Sequence, residues 1–501
     1  SVEEIGNLSG IGPAITAKIQ ELTTEGKMAT LEKWKAKTPT GITEMLGISG
    51  FGPKKIRAVW QGLGVQNIGE LLYAVNENRL VELKGFGAKT QVDVKQKLEF
   101  FQRSSGQYHY RTLEGPAEQL LSNLQQYNRD HRWDITGQFR RRATVLTSIE
   151  LLTTCPISNL SSYGELESLT VVTSISARAK YQDFPVEIHL CDPAGWERAQ
   201  FRRTASQEFL SAFIAKYGEE DFIDSKEELG SQAQLVSQQL PPELWEEDWG
   251  LNMVTDNSIP TLIEEKDIRG VVHSHSTYSD GINSLQEMAE AAQKQGYGYL
   301  LITDHSQSAV YANGLKEERL REQWAEIDQL NASLHPFRIL KGIESDILAD
   351  GSLDYPDEVL AEFDVVIASI HSNLRMDEQK ATERLIKAIE NPYTNILGHP
   401  TGRLLLSREG YPIDHKAIID ACAEHRVCIE LNANPYRLDL DWKWIPYAIE
   451  KQVPISINPD AHSVGGIRDI RYGVLAARKG GLTKVNCINA LEAQDFLRWF
   501  R

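Results

Sequence analysis

Nine histidine, aspartate and glutamate residues close a series of short apolar runs between residues 273 and 462. The runs are GVVHSHSTYSD (His273, His275, Asp280), YLLITDH (His305), RILKGIE (Glu344), VVIASIH (His371), NILGHP (His399) and ISINPDAH (Asp460, His462). Imidazole and carboxylate donors suit divalent cations. Nine of them exceed what one ion needs, so two or three ions are expected. Cations gathered in this way favour hydrolysis of phosphate esters, because they neutralise charge on the phosphate oxygens. Imidazole-rich ligation points to zinc, manganese or iron rather than magnesium.

Such donors act together only if the fold delivers them to one place. Each run reads as a buried strand, and the segments between them, such as QEMAEAAQKQG, carry helical periodicity. Alternating strand and helix predicts a parallel sheet or barrel whose C-terminal strand ends share one mouth. A seventh run, VCIELNAN, ends in Asn432 and Asn434, which are read as groups supporting the ligands or facing substrate. Arg403 and Arg437 lie just past strand ends, where a guanidinium could clamp a phosphate or serve a surface ion pair.

The segments HSHSTYSDG, ITDH, GIESDI, SIHS, GHPTGRLLL, ELNANPYRLDL and PDAHS resemble the motifs of the polymerase and histidinol phosphatase (PHP) family. The resemblance is to the version fused to bacterial family X DNA polymerases, and it covers roughly residues 268–500. It implies a distorted (β/α)7 barrel with three metal ions. His273, His275, Glu344 and Asp460 would hold one. Glu344 would bridge to a second, held by His371 and His399, and Asp280, His305 and His462 would hold the third. Glu344, Asp460 and Arg403 are the expected catalytic residues.

The N-terminal third repeats one pattern three times: LSGIGPAITAKI, ISGFGPKKIRAV and LKGFGAKTQVDV. Each has a Gly-apolar-Gly turn and then a helix carrying an early basic residue. Gly10, Gly12 and Lys18, then Gly50, Gly52 and Lys54, then Gly85, Gly87 and Lys89 are the candidate DNA contacts. Amides at the start of a helix can bind a phosphate oxygen, so these helix-hairpin-helix units would grip DNA backbone without reading sequence. The region resembles the lyase and fingers domains of family X polymerases, in which the position of Lys18 forms a Schiff base. A solvated helix lysine fits Lys18 equally well, and no lyase activity is expected.

Residues 106–250 resemble the polymerase palm and thumb. In DITGQFRRRATVLTSIELL, Gly137, Arg140 and Arg141 match the family's nucleotide-binding strand, but Gln138 replaces a serine. Ser148 and Glu150 stand where the resemblance implies an Asp-x-Asp pair, and Glu187 in FPVEIHL stands for a third aspartate. A hydroxyl is a poor bridging ligand, and each glutamate adds a methylene that a near-octahedral magnesium site at about 2.1 Å tolerates badly. The palm is therefore expected to be catalytically dead.

The 501 residues predict a multidomain α/β protein. The expected parts are a lyase-type remnant (1–38), fingers-like tandem hairpins (39–105), a nucleotidyltransferase-like α+β palm and thumb (106–250), a linker (251–267) and the barrel (268–501). No apolar stretch approaches 18 residues and no signal-peptide pattern opens the chain, so a cytoplasmic monomer without a membrane partner is expected. Ser1 in place of Met suggests a trimmed start. Five cysteines at unpaired spacings fit a reducing compartment. A net charge of −17 excludes broad adhesion to nucleic acid, although residues 1–105 carry 14 Lys+Arg against 11 Asp+Glu. The expected activity is a DNA-repair nuclease acting on gapped, nicked or recessed duplex, as a 3′→5′ exonuclease or an abasic-site enzyme. The alternative is a small-molecule phosphomonoesterase of the histidinol phosphatase type.

Overall fold

The computed structural model describes residues 12–500 apart from 49, 69–70, 72–73, 76–79, 81–82, 84–85, 105, 219–229 and 407–408. The chain forms two compact units, Ser1–Gly106 and Gln107–Arg501.

In the first unit, the helix Pro13–Glu25 and the helix Pro53–Leu63 begin alike, with a glycine cap followed by proline. Proline suits that place because its missing N–H would lack a helical partner anyway. Helix Pro53–Leu63 buries Ile56 and Val59, and stops at Gly64 in the left-handed conformation. Those side chains join Met45, Ile48, Phe51, Phe86, Val94 and Leu98 in one core. Phe51 and Phe86, the apolar residues of the second and third turns, meet edge to face at 6.4 Å. Helix Pro13–Glu25 buries none of its residues, and Ile15 and Leu22 stay exposed. The second and third copies thus share a core to which the described part of the first adds nothing.

The second unit opens with β1 (Tyr108–His109), β2 (Trp133–Ile135), β3 (Val145–Leu146), β4 (Ile149–Thr153), β5 (Glu167–Thr173), β6 (Ser176–Tyr181) and β7 (Phe184–Leu190). β1 pairs with β3, and the others form a mixed sheet in the order β2-β4-β7-β6-β5. Helix Tyr110–Tyr127 covers it, burying Leu113, Ala117, Leu120 and Leu124 at helical spacing. Phe201, Phe209, Phe213 and Trp245 make a smaller core beyond the sheet.

The barrel follows: β8 (Gly270–Ser274), β9 (Tyr299–Ile302), β10 (Arg338–Asp346), β11 (Val365–Ser369), β12 (Ile396–Leu397), β13 (Cys428–Asn432) and β14 (Ile455–Asn458). All seven lie in chain order, and each adjacent pair is parallel. Helices between them cover the outside, which explains why the strands read as continuous apolar runs. The ring closes at the mouth, where His275 N donates to Ala461 O at 2.9 Å and Ala461 N to His273 O at 3.2 Å.

Helix Ile470–Lys479 of the barrel also packs on the palm. Its Tyr472 and Leu475 touch the palm core. Glu114 accepts from Arg471 at 2.6 Å and from Tyr472 at 3.0 Å. Lys479, fully buried, donates to Glu246 and to the carbonyl of Arg141.

Candidate metal centre

All nine ligand candidates converge on the barrel mouth, because each lies among the last residues of a strand or in the segment just after one. Glu344, near the end of β10, is central. Nitrogens of His273, His305, His371 and His399 stand 3.3, 3.0, 3.1 and 3.0 Å from its oxygens. Asp460 Oδ1 lies 3.1 Å from His275 Nε2 and 3.5 Å from His273 Nε2. Asp280 faces His305 at 3.6 Å and His462 at 3.4 Å. His273 (φ 67°) and Asp460 (φ 50°) adopt left-handed backbone, a costly conformation for these residue types that the surrounding fold holds in place.

The electrostatics call for added positive charge. Burial works against charge on His305 and His371, yet nearby Glu344, with Asp280 or Asp346, raises them to about 10 and about 9. His273 is likewise buried and held well above its usual range by Glu430, Glu344 and Asp460. Burial lowers His275 to about 3, helped by His305. Burial alone would raise Glu344 and Asp460, but the histidines hold both well below the ordinary carboxylate range. Protons here do what cations would, and metal binding would displace them.

The residues present fit metal ions. His273 Nε2, His275 Nδ1, His399 Nδ1 and Glu344 Oε2 are buried without a hydrogen-bond partner. Buried lone pairs facing one another are costly until a cation joins them. Three groupings bring ligand atoms together: His275, Asp280, His305 and His462; His273, His275 and Asp460; and His305, Glu344 and His371. His275 and His305 each belong to two groupings, so the partition is less exclusive than the resemblance implied.

Three carboxylates not singled out in the sequence support these ligands. Glu430, fully buried in β13, accepts from His273 Nδ1 at 2.6 Å and from His399 N at 3.1 Å. Asp346 accepts from His371 Nδ1 at 2.6 Å. The two Nδ1 bonds fix the tautomers of His273 and His371 that leave Nε2 free to bind a metal. Asp304 takes the amides of Ser276 and Ser279 and so shapes the loop that carries Asp280. The available sequence signal was a carboxylate inside an apolar run, as in VCIELNAN. Asn432 donates to Asp460 Oδ2 at 3.0 Å, and Asn434 caps the next turn by accepting from Tyr436 N.

Arg403 departs from its expected role. Its guanidinium donates to the carbonyls of Arg437 and Leu438 and pairs with Asp441, so it braces a loop rather than standing open to phosphate. Arg437 makes no side-chain hydrogen bond or ion pair among the described residues, and its charge reinforces the burial that lowers His399. Of the two arginines, Arg437 is the one free to meet an anion.

In the palm, Glu150 turns back to accept the amide of Gln138 at 2.9 Å. It fills the space above Gly137 (φ 61°), where a β-carbon would fall 2.1 Å from the carboxylate. Ser148 is buried, and Glu187 faces Arg178 at 3.6 Å. Every metal-competent grouping among the described residues lies in the barrel.

Gly12, Gly52 and Gly87 each precede a helix, and a β-carbon at any of them would meet nothing within 4 Å. Lys18, Lys54 and Lys89 are exposed. Gly50 (φ 71°) makes the turn beside Lys97. Gly10 and Gly85 lie outside the described residues.

A parallel barrel with this ligand-rich mouth defines a metal-dependent phosphoesterase of the PHP class, and residues 272–434 match the PHP domain family model. Residues 42–98 match the SAM-like helix-hairpin-helix tandem, leaving out the first repeat. The DNA polymerase/3′-5′ exonuclease PolX of Bacillus subtilis (strain 168) is 35% identical over 99% of this chain and 90% of its own length. The chain belongs to the bacterial family X DNA polymerases fused to a PHP domain. A probable phosphatase of Thermoanaerobacter sp. (strain X514) is 28% identical over 43% of this chain and 88% of its own. Among the described residues no helix is long and apolar enough to cross a membrane.

Proposed function

We propose that this protein is a metal-dependent nuclease of DNA repair, removing nucleotides or blocking groups at the 3′ end of gapped, nicked or recessed duplex. The carrying observation is the crowd of unsatisfied buried donors around Glu344, joined in one chain to paired helix-hairpin-helix turns. When bound, two or three zinc, manganese or iron ions would supply a nucleophile at neutral pH and offset charge on the phosphate. Glu344 would bridge two of them, with Asp460 and the seven other ligands completing the set. Glu430 and Asp346 hold the imidazoles in register, and Arg437 faces the substrate phosphate. Tandem hairpins at Gly50–Lys54 and Gly85–Lys89 would grip the duplex backbone.

We further propose that the palm does not polymerise. Glu150 is spent on the amide of Gln138, and Ser148 supplies no charge between two cations. Incubating an end-labelled primer–template with Mn²⁺, with and without nucleotides, tests both statements at once. Shortening in either case is expected. Template-directed extension would overturn the second proposal, and an unchanged primer the first. The likeness to a probable phosphatase, over 43% of this chain, favours a second reading, a small-molecule phosphomonoesterase. Failure to bind gapped DNA at low salt, with efficient hydrolysis of a small monoester, would establish that reading instead.

A further inference from the structure

We propose that Tyr436 is a platform on which the terminal base of a DNA strand stacks at the metal mouth, and that the palm residue His109 positions its ring. The inference rests on the nuclease reading and names a specificity residue for it.

The loop after β13 is tied stepwise to the metal centre. Asn432 donates to Asp460 Oδ2 at 3.0 Å, the Asn432 side chain accepts from Asn434 N at 3.1 Å, and the Asn434 side chain accepts from Tyr436 N at 3.0 Å. A turn then closes as Arg437 N and Leu438 N donate to Asn434 O at 2.8 and 3.1 Å. Tyr436 is thus registered to a candidate ligand through three consecutive bonds.

The palm holds the other side. The carbonyl of Tyr436 accepts from Leu405 N at 2.7 Å, and the carbonyl of Leu405 accepts from His109 Nε2 at 3.0 Å. The His109 ring meets Tyr436 edge to face, with centroids 4.8 Å apart. Arg111, anchored by Asp469 at 2.8 Å, places its guanidinium 6.0 Å from the Tyr436 centroid. Burial lowers His109 from its usual range, which keeps it a neutral donor. Despite these neighbours Tyr436 remains 47% exposed. An aromatic face fixed on two sides, followed in the chain by Arg437, which makes no ion pair among the described residues, suits a nucleotide: the ring takes a base and Arg437 a phosphate. A small phosphate monoester would use the arginine alone.

The test compares two labelled primer–templates in Mn²⁺, one ending in an ordinary nucleotide and one whose last residue lacks its base. Tyr436→Ala and Tyr436→Leu should each raise KM for the base-bearing end about ten-fold, with kcat nearly constant, as lost stacking predicts. Neither should alter cleavage of the abasic end. Tyr436→Phe, which keeps the ring, should rescue the base-bearing end. His109→Ala should give the same pattern with a smaller change. Equal losses on both ends, no loss on either, or loss of bound metal in both the Ala and Leu variants would overturn the proposal. Wild-type protein that cleaves neither end would remove the nuclease reading, and this inference with it.

Discussion

The barrel and the palm sheet both carry glutamates on their strands, yet the carboxylate oxygens are used differently. Glu344 sits among five imidazoles, and among the described residues no backbone N–H donates to its carboxylate. Glu150 takes the amide of Gln138 and packs over Gly137. A carboxylate already satisfied by the protein's own amide serves as a prop. One facing further lone pairs in a buried site becomes stable only when positive charge arrives. The same residue type is a ligand in one sheet and a cap in the other, and the donors around it decide which.

The largest effect should come from Glu344→Ala. It should abolish phosphoesterase activity and remove more than one ion, because a bridging carboxylate serves two cations. Elemental analysis that finds full metal content would show that Glu344 is not the bridge, and the contrast with Glu150 would lose its basis.

Next come the groups that orient ligands without binding metal. Glu430→Gln or Asp346→Asn should weaken metal affinity or activity by about 10- to 100-fold, since each loses the charge that orients an imidazole. Metal titration followed by assay measures both. Unchanged affinity in the Glu430 variant would mean that the 2.6 Å bond to His273 does not tune the site.

On the palm side the expected change is in stability. Glu150→Ala leaves the Gln138 amide without its partner, at a cost of about 1–3 kcal/mol. Thermal unfolding should report that loss while nuclease activity persists. No primer extension is expected in Mg²⁺. Incorporation that Glu150→Ala or Glu187→Ala abolishes would make these residues ligands after all. Mn²⁺, more tolerant of distorted sites, is the condition in which to look for it.

These contrasts also show what the sequence reveals. The nine ligands are legible because each stands at the end of an apolar run, and in a singly wound barrel chain order is also order around the mouth. Glu430 is harder to see, since it stands in the middle of the run VCIELNAN and its partners His273 and His399 are remote in sequence. Arg403 misleads for a similar reason: a guanidinium after a strand looks available until the fold brings Asp441 and two carbonyls to it. In the palm the replacements at 148, 150 and 187 are visible in the sequence, but the turn of Glu150 onto Gln138 is not. Three hairpin copies are equally legible as patterns. The shared core, with Phe51 packed on Phe86, separates the second and third from the described part of the first.

That last distinction yields the smallest predicted effect. Gly52→Leu and Gly87→Leu should weaken binding to gapped duplex while sparing hydrolysis of a small chromogenic phosphodiester. Both positions are open, with nothing within 4 Å of a β-carbon, so the added side chain obstructs an approaching phosphate rather than the fold. Gly50 is a poorer probe, because its φ of 71° would strain any other residue. Losing one charge-assisted amide–phosphate bond of about 1.5 kcal/mol lowers affinity roughly ten-fold. Affinity should also fall with salt at a slope of about −0.9 per phosphate neutralised. The modest basic excess of the first 105 residues predicts few such contacts, so the slope should be shallow. Gly12→Leu should matter less than either, since its helix lies outside the shared core. If Gly12→Leu weakened binding as much as the other two, the three hairpins would act as equals and the packing difference would carry no functional meaning.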